Sequence, residues 1–251
     1  MAVTIKSKKE IELMREAGKI LEEVHNKLAD FVKPGISTLE IDQFGEKAIR
    51  DLGCVPNFLN YNGYPASICV SVNDEVVHGI TRKDRILQDG DIVSLDAGLI
   101  HEGYHSDAAR THAVGNVSEE AKRLIEVTKQ SFFEGIKLAV PGNHLFDISE
   151  AIQKYVESNG YSVVRDLVGH GIGTHLHEDP QIPNFKQRRK GMKLRPGMTL
   201  AIEPMVNEGS YDVVWLDDDW TVVTEDGSLA AHYENTIVIT EDGCEILTLS
   251  E

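Results

Sequence analysis

The sequence is poor in the features that mark several large classes of protein. Its three cysteines, Cys54, Cys69 and Cys244, are odd in number and form no CxxC pair, which favours a reducing compartment over a disulfide framework. No apolar run approaches the roughly 18 residues of a membrane-spanning helix, so we expect no membrane insertion. The amino terminus is charged and amphipathic and does not resemble a signal peptide. We therefore expect a cytoplasmic protein.

Positive charge is also scarce. The chain has 25 lysines and arginines against 41 acidic residues, and its formal net charge is −16. Affinity for nucleic acid rests on clustered basic side chains, so this balance argues against direct nucleic-acid binding. The sequence has no GxxxxGK[ST] loop, no HExxH and no GxSxG motif. Phosphate-loop, zincin-type and serine-hydrolase chemistry are therefore not indicated.

The amino-terminal region has the periodicity of helices. Apolar residues recur at three- and four-residue steps from Ile11 to Leu28, and the following Pro-Gly pair ends the pattern. Ser37, with Glu40 three residues later, predicts a capping box at the start of a second helix, which ends at Gly53. His25 lies on the first helix, where we expect it to be solvated.

The same pattern recurs later in the chain at a constant offset of 107 residues. Pro34-Gly35, Lys47 and Gly53 correspond to Pro141-Gly142, Lys154 and Gly160. Chance is the alternative, because Pro-Gly pairs and helix-ending glycines are common. The offset predicts an internal duplication within one domain, residues 1–251, with halves of about 1–115 and 116–251. A pseudo-two-fold axis would direct Asp96 and Glu203, which are equivalent positions, to a shared centre.

Two aspartates lie on a predicted β-hairpin. The segment 90–114 is typical of two strands that turn at 101–103. With the turn centred between His101 and Glu102, Asp96 faces Asp107 across the strand pair. Like charges at such positions destabilise the pair, so two buried aspartates need a shared proton or a cation.

Two further glutamates favour a cation over a shared proton at this site. Glu203 and Glu234 both lie in strand-like apolar segments, and four carboxylates balance the charge of two divalent ions. An aspartic-protease-like dyad is the alternative, but it leaves these glutamates unexplained. The acidic run 217–219 is predicted to be a solvated loop rather than a calcium site.

Among the ten histidines, three are candidates for a chemical role. His170 lies in Gly-His-Gly-Ile-Gly, where the glycines let a tight turn present an imidazole as a nitrogen ligand. His177 follows in a loop, as an acid or hydrogen-bond donor, and His78 ends an apolar run before a glycine. His175 alternates with His177 and is expected to point elsewhere. The histidines interpreted as bystanders are His101, His105, His112, His144 and His232.

The sequence also resembles a known family, the type I methionine aminopeptidases, over nearly the whole chain. The segments that carry the resemblance are NYNGYPASICVSVNDEVVHGI, GDIVSLDAG, GYHSDAA, GHGIGTHLHEDPQIPN, LAIEPMV and ENTIVIT. The resemblance implies an α+β fold, the duplicated "pita-bread" fold, with an antiparallel sheet covered by helices on one face. The short interval between His170 and Glu203, and an amino terminus without a zinc-finger extension, are typical of the short bacterial form.

The resemblance also implies a dinuclear site and a reaction. Two divalent ions, of cobalt, manganese, iron or zinc, would be held by Asp96, Asp107, His170, Glu203 and Glu234. Asp107 and Glu234 would bridge the ions. The implied reaction removes the initiator methionine from nascent chains with a small second residue, by attack of a metal-bridging hydroxide on the first peptide carbonyl.

Further residues take roles from the same resemblance. His177 would hydrogen-bond the carbonyl, His78 would assist at the scissile amide, and Glu203 would shuttle the proton. The candidates for the methionine pocket are Phe58, Tyr61, Tyr64, Cys69, Leu176 and Trp220. Two departures stand out: Leu176 occupies a position where many relatives carry Phe, and Asn235 one where relatives usually have His.

The expected partners are nascent polypeptide amino termini, with transient ribosome association, and the expected state is a monomer. Two alternatives stay open. An X-Pro aminopeptidase or dipeptidase shares the fold and metal ligands, but usually carries an extra amino-terminal domain. A non-catalytic ribosome-associated binding protein on this fold predicts eroded ligands.

Overall fold

The computed structural model describes residues 3–249 as four α-helices, a short 3-10 helix and fifteen strands. The helices are α1 (Lys8–Phe31), α2 (Thr38–Asp51), α3 (Glu119–Ile136) and α4 (Leu145–Ser158), and the 3-10 helix is Tyr61–Gly63. The strands are β1 (Val55–Pro56), β2 (Ile68–Val72), β3 (Glu75–Val77), β4 (Ile92–His101), β5 (Tyr104–Ala113), β6 (Ser162–Val163), β7 (Gly169–Gly171), β8 (Glu178–Ile182), β9 (Thr199–Ile202), β10 (Met205–Asn207), β11 (Val213–Trp215), β12 (Val222–Thr224), β13 (Ala230–His232), β14 (Glu234–Ile239) and β15 (Cys244–Ile246). Within residues 3–249, no helix is both long and apolar enough to cross a membrane.

A nine-stranded antiparallel sheet forms the centre of the fold. Its main strand order is β1-β4-β5-β14-β9-β7-β8, with β2 beside β4 and β15 beside β14. Two smaller sheets have the orders β13-β10-β6 and β11-β12-β3. Strands β4, β5, β14, β9 and β7 are therefore five successive neighbours, although they come from both halves of the chain.

The predicted second helix begins as expected. The backbone N–H of Glu40 donates to Ser37 Oγ at 3.2 Å, and the N–H of Ser37 donates to Glu40 Oε2 at 2.8 Å. This capping box satisfies two backbone donors at the helix start. The helix is followed by Gly53 at φ 77°, a conformation that glycine adopts readily.

The backbone repeats at the offset read from the sequence. Helices α2 and α4 are both 14 residues long and begin 107 positions apart. An isolated β-bridge joins Ser37 to Ile86, and its counterpart at the same offset joins His144 to Lys193. The sequence repeat is therefore also a repeat of backbone conformation.

Helices cover one face of the sheet and leave the other free for polar residues. On β4, Val93, Leu95 and Ala97 are buried in a core cluster with α1 and α2. Because side chains alternate along a strand, Asp96 lies on the opposite face. Burial of the apolar face thus fixes the direction in which this carboxylate points.

The predicted hairpin is present as β4 and β5, but its predicted register is wrong by two residues. His101 pairs with Tyr104, and the turn is Glu102-Gly103, with φ of 47° and 83°. Both turn residues have positive φ, as a two-residue type I′ connection requires. Asp96 consequently pairs with Ala109, not Asp107. A shift of two residues keeps each side chain on its face, so the two aspartates are diagonal neighbours rather than opposed.

The prediction that His25 is solvated is wrong. Its side chain is buried between α1 and the sheet, and Nε2 lies 2.8 Å from the carbonyl oxygen of Ala108. Burial, and then the nearby Arg110 guanidinium, lower the pKa of His25 well below its usual range. The folded protein therefore holds this imidazole neutral.

We expect His25 to make stability fall with acidity. Below its unfolded-state pKa of about 6.5, the unfolded chain binds a proton that the folded protein does not, so the free energy of unfolding decreases as the pH falls. In His25→Gln, an amide N–H can still reach Ala108 but no longer titrates. From pH 6.5 to 5.5, wild type should lose about 1 kcal/mol more than the variant in urea denaturation of chelator-treated protein. Equal losses would show that His25 does not contribute.

Candidate metal centre and active site

Five neighbouring strands bring together all five side chains predicted to bind metal. Asp96 lies on β4, Asp107 on β5, Glu234 at the start of β14, Glu203 directly after β9, and His170 on β7. All five line one cavity of about 220 Å³. Asp107, His170 and Glu234 are buried, whereas Asp96 and Glu203 are partly exposed to the cavity. The duplication therefore brings acids from both halves to one point.

The imidazole of His170 points its Nε2 atom at the acids. This atom lies 3.8 Å from Asp107 Oδ2 and 3.7 Å from Glu203 Oε1. The other ring nitrogen, Nδ1, lies 2.9 Å from the carbonyl oxygen of Gly171, so it carries the proton. The Nε2 lone pair is therefore free for a cation, as in metal-binding histidines. One ligand atom each from Asp107, His170 and Glu234 lies within 4.8 Å of the others.

The electrostatics of the group call for a cation. Burial raises the pKa of Asp96 to about 7. Burial and then the charges of Asp96 and Glu203 raise the pKa of Asp107 well above its usual range. Burial also raises the pKa values of Glu203 and Glu234 well above their usual ranges. Four acids so close together cannot all ionise without a compensating positive charge.

The unsatisfied oxygens of these acids fit a divalent metal. Among residues 3–249, nothing hydrogen-bonds the buried oxygens Asp96 Oδ1, Asp107 Oδ1 and Glu234 Oε1. A buried carboxylate oxygen without a partner is destabilising, and a cation would supply that partner. Burial, and then His177, lower the pKa of His170 to about 3, which keeps its imidazole neutral for binding metal. Carboxylates with one imidazole suit first-row divalent ions.

The two predicted catalytic histidines line the same cavity. His177 lies exposed at its open side, with Nδ1 2.7 Å from Tyr61 Oη and its ring centroid 4.3 Å from that of His170. His78 follows β3 at φ 59°, and burial lowers its pKa to about 4. The next residue must be small, because a Cβ at Gly79 would lie 2.3 Å from the carbonyl oxygen of Val70. Close backbone packing thus holds His78 in an uncommon conformation at the cavity wall.

All six predicted pocket residues contribute to the wall: Phe58, Tyr61, Tyr64, Cys69, Leu176 and Trp220. The hydroxyl of Tyr64 donates to the Gly79 carbonyl at 2.8 Å, and its ring packs edge-on against Trp220 at 5.1 Å. Burial, and then the Asp96 charge, raise the pKa of Cys69 well above its usual range, so this wall presents a neutral thiol. The wall beside the acids is therefore largely apolar.

The sequence reasoning missed two nearby residues. Asn62 also lines the cavity; its Asn-Gly dipeptide signals a turn but not the turn's location. His232, interpreted as a bystander, lies on β13 with Nε2 3.9 Å from Glu234 Oε2 and 4.0 Å from Glu203 Oε2. The signal for it was available: His232 precedes Glu234 by two residues in an apolar segment, the spacing of one strand face.

Other expectations concern residues outside the cavity wall. His175 is exposed and does not line the cavity. The run 217–219 is exposed, and Asp218 Oδ1 accepts the backbone N–H of Trp220 at 2.9 Å. Asn235 accepts hydrogen bonds from Arg110 Nη2 at 2.6 Å and from Thr248 Oγ1 at 2.9 Å. Its amide thus holds an arginine that also contacts the carbonyl of Glu234, and Asn235 does not line the cavity.

A cavity that combines clustered buried acids, an imidazole and two further histidines is typical of metal-dependent hydrolases. The protein-family model described as metallopeptidase family M24 matches residues 12–241. The methionine aminopeptidase of Clostridium acetobutylicum is 57% identical over 99% of this chain and 100% of its own length. Methionine aminopeptidase 1 of Bacillus subtilis is 54% identical over 98% of this chain and 99% of its own.

Comparison with solved structures points to the same family. The methionine aminopeptidase of Rickettsia prowazekii has a TM-score of 0.97 and 42% identity, covering 99% of this chain and 100% of that one. An Xaa-Pro dipeptidase from Bacillus anthracis has a TM-score of 0.80 and 26% identity; 98% of this chain matches 62% of that one. The chain therefore belongs to metallopeptidase family M24, and within it to the methionine aminopeptidases. The predicted family and pita-bread fold are confirmed, and the family implies a divalent metal cofactor.

Proposed function

We propose that this protein removes the initiator methionine from nascent chains whose second residue is small. The observation that carries the proposal is the cavity, in which an apolar wall meets the acids supplied by five neighbouring strands. Residues 1–251 would act as one catalytic domain, with halves of about 1–115 and 116–251. The relatives named methionine aminopeptidase over the full chain length support this substrate.

Two divalent ions would be held by Asp96, Asp107, His170, Glu203 and Glu234. The four carboxylates and the imidazole of His170 would supply the ligands. Cobalt, manganese, iron and zinc all suit these ligands. When bound, such ions polarise the scissile carbonyl and make hydroxide available near neutral pH.

The chain's own side chains would then position the substrate and move the proton. Nδ1 of His177 lies 2.7 Å from Tyr61 Oη. With the tyrosine hydroxyl as the donor, the imidazole proton would lie on Nε2, and His177 would donate it to the carbonyl oxygen. His78 would hydrogen-bond the scissile amide. Glu203 would carry the proton to the leaving amine.

The methionine side chain would lie against the wall described above. Tyr64 and Trp220 line the cavity with aromatic rings, and Cys69 lines it with a neutral, polarisable thiol. Thioethers make favourable contacts with aromatic rings and soft groups. The α-amine would face the acids, which favours removal of the first residue over internal cleavage.

The setting of the reaction follows from the substrate. A protein that acts on nascent amino termini would work in the cytoplasm, as a monomer, with transient contact to the ribosome. Direct nucleic-acid binding is disfavoured by the net charge of −16.

A direct comparison of peptides tests the substrate. The metal-loaded protein should release methionine from Met-Ala-Ser with a kcat/KM at least about 100-fold higher than for an X-Pro peptide. Preferential cleavage of the X-Pro peptide would support the dipeptidase alternative, to which the structural likeness also points. No cleavage of either peptide by metal-loaded protein would support the non-catalytic alternative.

A further inference from the structure

His232 directs an unpartnered ring nitrogen toward the acids of the metal centre. Its side chain is 2% exposed, and within the described residues Nε2 has no hydrogen-bond partner. The nearest carboxylate oxygens to this atom are Glu234 Oε2 at 3.9 Å and Glu203 Oε2 at 4.0 Å. A buried ring nitrogen without a partner is destabilising, so its orientation toward two carboxylates calls for an explanation.

The backbone of His232 is fixed independently of its ring. The backbone N–H of His232 donates to Thr111 Oγ1 at 2.9 Å. The Thr111 hydroxyl in turn donates to the carbonyl oxygen of His232 at 2.9 Å. Met205 pairs with it across β10 and β13. The backbone that carries the ring therefore has a defined position before any ligand binds.

The ring lies behind the acids rather than among the ligands. Glu203 and Glu234 line the cavity, whereas His232 does not. Glu203 directs Oε1 toward His170 and Oε2 toward His232, so its carboxylate lies between two imidazoles. Distances near 4 Å exceed a charge-assisted N–H···O bond by about 1 Å, a gap that a small rotation of the carboxylate closes.

We propose that His232 is a positioning residue whose Nε2–H donates to the carboxylates of Glu203 and Glu234 when they hold a divalent ion. This hydrogen bond orients the carboxylates of Glu203 and Glu234 toward the ion and partly compensates their negative charge on the side away from it. The inference rests on the proposed metal centre. It adds an outer partner of the kind that tunes metal affinity.

Calorimetric titration of chelator-treated protein with Mn²⁺ tests the inference. His232→Leu removes the donor and should weaken Mn²⁺ binding roughly 10- to 100-fold. His232→Gln keeps an N–H donor and should stay within about 3-fold of wild type. The matched control is His112→Leu, which removes another imidazole with a buried, unpartnered Nε2 that does not line the cavity; its affinity should equal wild type.

The outcomes separate the two proposals. Wild-type protein that binds no Mn²⁺ would overturn the metal centre itself. Wild-type binding with an unchanged His232→Leu affinity would overturn only the role of His232, as would a Gln variant as weak as the Leu variant. Circular dichroism and thermal unfolding without metal verify that each variant is folded, and His232→Met replaces His232→Leu if the latter is not.

Discussion

Replacing Asp107 with asparagine is expected to abolish tight metal binding and to lower kcat/KM for Met-Ala-Ser roughly 1,000-fold or more. Asp107 lies at the centre of the acids, within 3.8 Å of His170 Nε2, and one of its oxygens is buried without a partner. An amide of the same shape offers one neutral oxygen in place of a charged pair. The proposed metal centre would therefore lose an anionic ligand.

The same substitution should stabilise the metal-free protein. Without a cation, burial and then the charges of Asp96 and Glu203 disfavour an ionised Asp107, which is why its pKa is raised. Removing that charge should increase the free energy of unfolding by about 1–2 kcal/mol. The fold tolerates the change, because the Asp107 backbone is held by Thr236 Oγ1, which accepts its N–H at 3.2 Å and donates to its carbonyl at 2.9 Å.

Thermal unfolding with and without Mn²⁺ measures both effects in one experiment. The expected pattern is a higher midpoint than wild type without metal and no further rise when metal is added. Asp84→Asn is the matched control, because the Asp84 side chain is 84% exposed; it should leave both midpoints unchanged. An Asp107→Asn protein that binds Mn²⁺ as wild type does would contradict the assignment of this residue.

Replacing His177 with alanine is the second large expected effect. The substitution should lower kcat for Met-Ala-Ser about 100- to 1,000-fold, because the proposed donor to the carbonyl oxygen is lost. Metal affinity should stay within about 3-fold of wild type, because His177 is a cavity-wall residue and not a proposed ligand. Steady-state kinetics, with Mn²⁺ titrations on the same preparations, separate the two quantities.

Tyr61→Phe provides the matched comparison for this prediction. The tyrosine hydroxyl lies 2.7 Å from His177 Nδ1, so its removal frees the imidazole to change tautomer while the ring remains. We expect a smaller loss of kcat than in His177→Ala, about 10-fold. A His177→Ala enzyme with normal kcat would remove His177 from the mechanism, whereas a loss of metal binding would make it a ligand.

Three of the four acids of the site could be predicted independently of the hairpin register. Asp96 and Glu234 interrupt apolar strands, and the offset of 107 residues makes Glu203 the counterpart of Asp96. The register of the hairpin, which was predicted to pair Asp107 with Asp96, could not be read from the sequence in this way. It depends on two residues at positive φ, Glu102 and Gly103, and a glutamate in that conformation is uncommon. The error was harmless to the site, since a shift of two residues preserves the face.

The remaining errors concern residues whose environment comes from distant segments. His25 is buried because it lies four residues after Leu21 and three before Leu28, on the face of α1 that packs inward. Helix periodicity could therefore have placed it there, whereas its partner, the carbonyl of Ala108 on β5, could not be read from the sequence. His232 approaches Glu203 only because β13 packs next to the central sheet. Pocket residues such as Tyr61, in the 3-10 helix, and Trp220, in a loop, are far apart in the sequence, so only the family resemblance could group them before the structure did.

The most direct test of the central claim is to titrate metal back into chelator-treated protein while measuring methionine release from Met-Ala-Ser. We expect negligible turnover without metal, and turnover that rises with bound Mn²⁺ or Co²⁺ until the site is saturated. Undiminished methionine release by protein that elemental analysis finds free of divalent metal would contradict the claim that these acids serve a metal-dependent peptidase.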